Sequence, residues 1–217
     1  MKKLLISIIA LLAFAGHVSS VMAQDAKNGE KKAAMCIGCH GIPEYQASFP
    51  EIHKVPMIAG QGAPYIVAAL TAYKKGERKH PTMRAIAGSL SEQDMADLAA
   101  FYATEAKNVP VLAAKPAHAP SPEVAALLNK ASCTACHGDN FSKPSDPSYP
   151  KLAGQHADYL YVALKAYQTQ NNAVVGRGNP IMGGMSAMLN HAELKQVAQY
   201  IASLPSELQT VPQPRFK

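Results

Sequence analysis

Cys36, Cys39 and His40 form a Cys-x-x-Cys-His pentapeptide, and Cys133, Cys136 and His137 form a second one. Two thiols three residues apart on one helical turn reach the two vinyl groups along one edge of a porphyrin. The histidine that follows then places its imidazole under the iron as the proximal ligand. This is the attachment pattern of a c-type haem. Other chemistries fit less well. A zinc ion could use both cysteine pairs but has no need of a histidine after each. A thioredoxin-type dithiol explains one Cys-x-x-Cys, in a βαβ setting that is missing here. Four cysteines in an exported chain suggest two disulfides, yet the two pentapeptides already use all four. The pattern predicts two haem c groups. Cys36, Cys39, Cys133 and Cys136 would hold them covalently, with His40 and His137 as axial ligands to iron.

A haem with one protein ligand is open to gases or peroxide, whereas one with two is closed and suits electron transfer. The second ligand should recur at one place in both pentapeptide contexts. Met83 and Met182 do so, 43 and 45 residues after their histidines. A methionine is more often a gap-filler in a core, but the shared register favours ligation. Met185 competes with Met182; it aligns with Ile86, which cannot ligate. Met35 abuts Cys36 and belongs on the proximal side, Met57 aligns with Lys151, and Met95 lies on a helix face expected in the core. Among the other histidines, His80 is the bis-His alternative to test, because it lies near Met83. His53, His118, His156 and His191 lack a histidine partner in the other half and are expected to be hydrogen-bonded or exposed.

The elements that must position these residues repeat as well. Pro56-Met57-Ile58-Ala59-Gly60-Gln61 matches Pro150-Lys151-Leu152-Ala153-Gly154-Gln155 at an offset of 94. Tyr65, Leu70 and Tyr73 match Tyr159, Leu164 and Tyr167 at the same offset. The stretch from Met83 through Leu90 to Phe101 matches that from Met182 through Leu189 to Tyr200 at an offset of 99. The second half therefore has a shorter loop after its pentapeptide and five extra residues before its methionine. Repeats of this length read as duplicated domains rather than solenoid units. Each half reads as helical, and no strand alternation is visible, so the fold class is all-α. Asp25 caps a helix through Met35. Ser121-Pro122-Glu123 opens another. The segments 63–75 and 157–169 carry apolar and tyrosine residues at helical spacing. Ser91 with Asp94, and Asn190 with Glu193, form capping boxes ahead of the last helix of each half. Each methionine is expected to precede that helix by one short turn region.

Lys2 and Lys3, the apolar run from Leu4 to Ala15 and Val21-Met22-Ala23 form a secretory signal peptide over 1–23. The run is shorter than the ~20 residues of a membrane span. Domain one is expected over 24–106, an Ala/Pro-rich linker over 107–121 and domain two over 122–217. The location expected is the periplasm. The formal charge of the 217-residue chain is +6 and falls to +4 without Lys2 and Lys3. That is too modest and dispersed for a nucleic-acid binder. With no Trp and few aromatics, two small cores are thinly filled by side chains alone.

With these residues in view, the chain resembles the dihaem cytochromes c of the cytochrome c4 family over essentially its whole mature length. The resemblance rests on Cys36 to Gly41, Cys133 to Gly138, the two P-x-(I/L)-A-G-Q segments and the two methionines. It implies two tandem class-I cytochrome c domains related by pseudo-twofold symmetry, with the haems facing each other. It implies that the Pro56 and Pro150 carbonyls accept from His40 and His137 Nδ1. It implies that Gly29 lets the first helix cross Phe101 closely, with Ala126 and Tyr200 in those places in the second half. It also implies that Arg78 meets a haem propionate. Asn172 aligns with Arg78 in the second half, and Arg177 is a nearby substitute. The longer loop Ile42–Val55 departs from the family pattern.

The function expected is a periplasmic one-electron carrier rather than an enzyme. Its partners would be redox proteins, a membrane-bound reductase and a terminal oxidase, with no nucleic acid and no stable membrane insertion. The run Lys74-Lys75-Gly76-Glu77-Arg78-Lys79 could steer an acidic partner. The alternatives are a subunit of a larger oxidoreductase, such as a flavin-containing sulfide dehydrogenase, or a dihaem enzyme such as a thiosulfate dehydrogenase.

Overall fold

A computed structural model describes residues 24–212; the expected signal peptide over 1–23 and the last five residues lie outside it. Ten helices occur among the described residues, five in each half and in matching order. The first five are α1 (Ala26–Lys32), α2 (Ala34–His40), α3 (Ala63–Lys75), α4 (Pro81–Gly88) and α5 (Glu92–Glu105). The second five are α6 (Pro122–Lys130), α7 (Cys133–His137), α8 (Ala157–Gln168), α9 (Pro180–Ala187) and α10 (His191–Ser203). Residues 106–121, between α5 and α6, contain neither helix nor strand.

The helix ends follow local chemistry. The Asp25 carboxylate accepts from the Lys27 and Asn28 N–H groups. The helix it opens stops at Lys32 rather than running through Met35; after Ala33 a second helix carries the cysteines. Ser121 caps α6, which has proline in its first turn. Both capping boxes form, Ser91 with Asp94 and Asn190 with Glu193. Each satisfies two backbone donors that a helix start leaves orphaned.

Two separate apolar cores result. One gathers Ala33, Ile37, Ile66, Leu90, Met95, Leu98, Ala99 and Tyr102, from the junction of α1 and α2, from α2, α3 and α5, and from the turn before α5. The other gathers Leu128, Leu160, Leu189, Leu194, Val197, Ala198 and Ile201 around α6, α8 and α10. In the first, α1 crosses α5 so closely that a Cβ on Gly29 would lie 2.1 Å from the Asp97 carbonyl oxygen and 2.8 Å from the Phe101 Cβ.

Four short strands, unforeseen from the sequence because each has only two residues, add to the helices. Strands β1 (Gln46–Ala47) and β2 (His53–Lys54) pair within the long loop of the first half. Strand β3 (Arg78–Lys79) pairs antiparallel with β4 (Gly176–Arg177), and this ladder joins the two halves. Gln61 and Gln155 join them again. The Gln61 amide donates to the Lys151 carbonyl (3.0 Å) and accepts from the Lys151 N–H (2.9 Å). The Gln155 amide does the same with Met57, at 2.9 and 3.1 Å. The contacts are reciprocal, as across a twofold axis. The loop Ile42–Val55 also braces the interface: the Lys54 N–H donates to the Asp158 carboxylate and Glu51 pairs with Lys165. Beyond α10 the chain returns to the first half, where Gln209 pairs with Ala59.

Candidate functional site

The two pentapeptides sit on equivalent short helices. All four cysteines are free thiols. Burial pushes the Cys36 and Cys133 thiols up to about 11, with the nearby Tyr102 hydroxyl pulling the other way on Cys36. That hydroxyl is buried and has no nitrogen or oxygen partner; the Cys36 sulfur is its polar neighbour.

Each histidine is fixed by one carbonyl. His40 Nδ1 lies 2.9 Å from the Pro56 oxygen, and His137 Nδ1 lies 3.3 Å from the Pro150 oxygen. A carbonyl can only accept, so Nδ1 carries the proton and Nε2 keeps its lone pair. Burial holds both imidazoles below their ordinary value, with the carbonyls working the other way. Neutral imidazole with a free Nε2 is the form that binds a metal. His80 adds to the fall at His40, which sets the start of α4 against the same site.

The P-x-(I/L)-A-G-Q segments now have a residue-by-residue reason. The proline carbonyl fixes the histidine. Ala59 and Ala153 are buried. Gly60 and Gly154 turn with φ of 84° and 68°, and their N–H groups reach the Tyr102 and Ile201 carbonyls. A Cβ on either would meet the chain after α10, at Glu207 or Ser206. The glutamine then crosses to the other half.

Met83 and Met182 are half-buried, each in the first turn of an eight-residue helix that a short turn separates from the last helix of its half. Proline opens both helices. The caps differ: His80 Nδ1 accepts from the Met83 N–H at 3.4 Å, and Asn179 accepts from the Met182 N–H at 3.0 Å. His80 is therefore the structural equivalent of an asparagine cap, with one ring nitrogen committed to the backbone. Met185, one helical turn after Met182, shares its face and is also half-buried.

Arg78 lies at the interface, and its counterpart is Arg177, not Asn172. The Arg78 guanidinium donates to the Tyr65 hydroxyl (2.9 Å) and stacks over Tyr65 and Tyr73. Arg177 donates to the Tyr159 hydroxyl (3.1 Å) and stacks over Tyr159 and Tyr167. Burial pushes Tyr65 up to about 12 against the pull of Arg78. Burial acts the same way on Tyr159, but Arg177 and Arg78 together outweigh it and the net change is down. Alignment set Asn172 against Arg78 and left Arg177 as a nearby substitute, because the tyrosines fix an offset of 94 while the arginines already follow the offset of 99. The extra residues lie between, and Asn172 among them accepts from Lys79 Nζ at 2.6 Å. The roles of Gln61 and Gln155 were missed; their signal was a polar side chain at one position in both repeats.

The basic run expected as a docking patch is largely committed within the protein. Arg78 and Lys79 face the second half, and Lys74 Nζ donates to the Leu90 carbonyl at 2.5 Å.

These donors fit two haems. Each half offers two free thiols, a neutral imidazole whose proton sits on Nδ1, and a half-buried methionine in the first turn of its own short helix. The two guanidiniums are adjacent cations that meet no carboxylate among the described residues. Carboxylates on the bound group would relieve that repulsion, and an arginine fork suits a carboxylate.

Comparison with known proteins gives the same picture. The cytochrome c family profile matches residues 26–104 and 122–205. Cytochrome c4 of Azotobacter vinelandii is 31% identical over 218 residues, which cover 94% of this chain and 100% of that protein. The thiosulfate dehydrogenase electron acceptor of Stutzerimonas stutzeri is 32% identical over 189 residues, covering 82% and 83%. The solved cytochrome c4 of Acidithiobacillus ferrooxidans matches with a TM-score of 0.60 at 27% identity, covering 79% of this chain and 99% of that one.

Proposed function

Since this chain belongs to the cytochrome c4 family, a family of two tandem class-I cytochrome c domains with two haem c groups and an electron-transfer role, we propose that it is a periplasmic carrier with two His/Met-ligated haems. Cys36, Cys39, Cys133 and Cys136 hold the two groups covalently. His40 and Met83 would hold the iron in the first domain, and His137 and Met182 in the second. The domains run over 24–106 and 122–217, joined by the linker 107–121, after cleavage of the signal peptide near Ala23.

Iron in such a site supplies a one-electron Fe(III)/Fe(II) couple. The protein residues do the rest. Pro56 and Pro150 orient the imidazoles and keep their protons on Nδ1. The thioether is a soft donor that favours the reduced ion. Arg78 and Arg177 offset the charge of the propionates. The observation that carries the reading is the doubled set of free thiols beside a neutral imidazole with an open Nε2.

Redox titration with optical spectra tests it on the unaltered protein and on Met83→Ala, Met182→Ala and Met185→Ala. Met83→Ala and Met182→Ala should each change the spin state and lower the potential of one haem of two. Loss of low-spin character in Met185→Ala with none in Met182→Ala would move the ligand by one helical turn.

Kinship with the Stutzerimonas acceptor favours one reading of the donor, a thiosulfate-oxidising enzyme. Among the described residues no helix is long and apolar enough to cross a membrane, which suits a carrier meeting membrane-bound partners from the aqueous side. Stopped-flow reduction by thiosulfate dehydrogenase, with and without thiosulfate, tests that donor; no reduction removes it.

A further inference from the structure

The two reciprocal glutamines reach further than the interface. The N–H that Gln155 receives belongs to Met57, so it is the nitrogen end of the Pro56–Met57 peptide. The oxygen end of that same peptide accepts from His40. One planar amide thus links His40 of the first domain to Gln155 of the second, with hydrogen bonds of 2.9 Å on one side and 3.1 Å on the other. The mirror image exists. The Pro150–Lys151 peptide accepts from His137 through its oxygen (3.3 Å) and donates to Gln61 through its nitrogen (2.9 Å).

We propose that Gln61 and Gln155 are positioning residues for electron transfer, each setting the proximal histidine of the haem in the opposite domain through one shared peptide group. Amide resonance couples the two ends of a peptide. Donation from its N–H shifts electron density onto its oxygen, and chained hydrogen bonds strengthen one another. A richer oxygen accepts more strongly from Nδ1–H, makes the imidazole a stronger donor to iron and favours the oxidised ion.

Several features hold the relay in place. Both glutamine side chains are buried, 4% and 3% exposed, so water does not compete for the bonds. Each Oε1 also accepts from the backbone N–H of the next residue, Gly62 or His156, at 3.0 Å. Each Nε2 donates to the residue 57 or 151 carbonyl of the opposite domain. Amide orientation is thereby fixed: reversing either side chain would set donor against donor and acceptor against acceptor.

The inference rests on the reading of His40 and His137 as haem ligands. Its signature is crossed. Gln155→Leu in the haem-loaded chain should move the His40 Nδ1–H proton resonance of the reduced protein upfield and raise the potential of the first-domain haem. The His137 resonance should stay in place. Gln61→Leu should do the reverse. Gln155→Glu and Gln61→Glu put a charged, stronger acceptor on the peptide N–H, so they should move the opposite domain's resonance downfield; they carry the test if the leucine variants do not load haem. A shift confined to the glutamine's own domain overturns the inference. So do equal shifts in both domains, which would mark a loosened interface, and so does no shift. If the unaltered protein lacks two haem-bound imidazole spin systems, the ligand reading fails first and takes the inference with it.

Discussion

At the scale of single residues, Arg78 and Arg177 show how charge is managed where the domains meet. Two guanidiniums on paired strands, held by tyrosine hydroxyls and rings, are costly without anions nearby. Removing one positive charge beside a haem makes reduction harder. Arg177→Leu is therefore expected to lower one haem potential by roughly a tenfold change in the redox equilibrium, about 59 mV for one electron. Arg177→Lys should lower it less, keeping the charge but losing the fork. Spectroelectrochemical titration measures both, and a rise in potential would contradict the assignment. The cysteines and histidines were legible because covalent attachment demands a fixed spacing. Arg177 was legible only as a substitute beside the aligned Asn172, because insertions shift register without marking where they begin. The glutamines were visible as a repeat, yet a buried amide has no sequence signal that separates a core role from a bridge.

Helices were the most legible elements, since their starts are written in caps. Asp25, Ser91, Ser121 and Asn190 all cap the helices expected of them. The helices bearing Met83 and Met182 were less legible: eight residues give little periodicity, and a histidine cap is unusual. At the start of α5, Lys32 and Ser91 hold the Asp94 carboxyl below the usual carboxylate range. Its folded value is depressed, so its contribution to stability is present above about pH 4 and is lost as pH falls toward the lower folded value. Asp94→Asn should flatten that part of an acid-unfolding curve, and an unchanged curve would assign the shift no energetic role. Where α1 crosses α5, Gly29→Ala sets two effects against each other. Alanine favours a helix by about 1 kcal/mol. The added Cβ, however, would overlap the Asp97 carbonyl, and Asp97 is only 1% exposed. Overpacking costs about 1–3 kcal/mol, so net destabilisation is expected in guanidinium unfolding; a gain in midpoint would show that the helices can separate freely.

On the scale of the whole molecule, the halves are held by far more than the linker. The strand pair, the glutamines, the loop Ile42–Val55 and the returning C-terminal segment all cross between them. Cleavage beside the fully exposed Val111 should therefore leave both pieces together on gel filtration under native conditions. Separation of the pieces would show that the covalent link does most of the holding. The duplication was plain in the sequence and the family resemblance implied its pseudo-twofold symmetry, but the residues that join the copies were not visible, because they are few and far apart along the chain. A joint built from matching halves carries a hazard of mistaken identity: the first domain of one molecule could offer Met57 and Gln61 to the first domain of another. The rim discourages this. In such a pair Pro64 would stand where Asp158 receives the Lys54 N–H, and Thr71 where Lys165 meets Glu51. The two departures from perfect repetition thus act as a lock and its ward. Both contacts are available to a chain's own second half and to no second copy of its first.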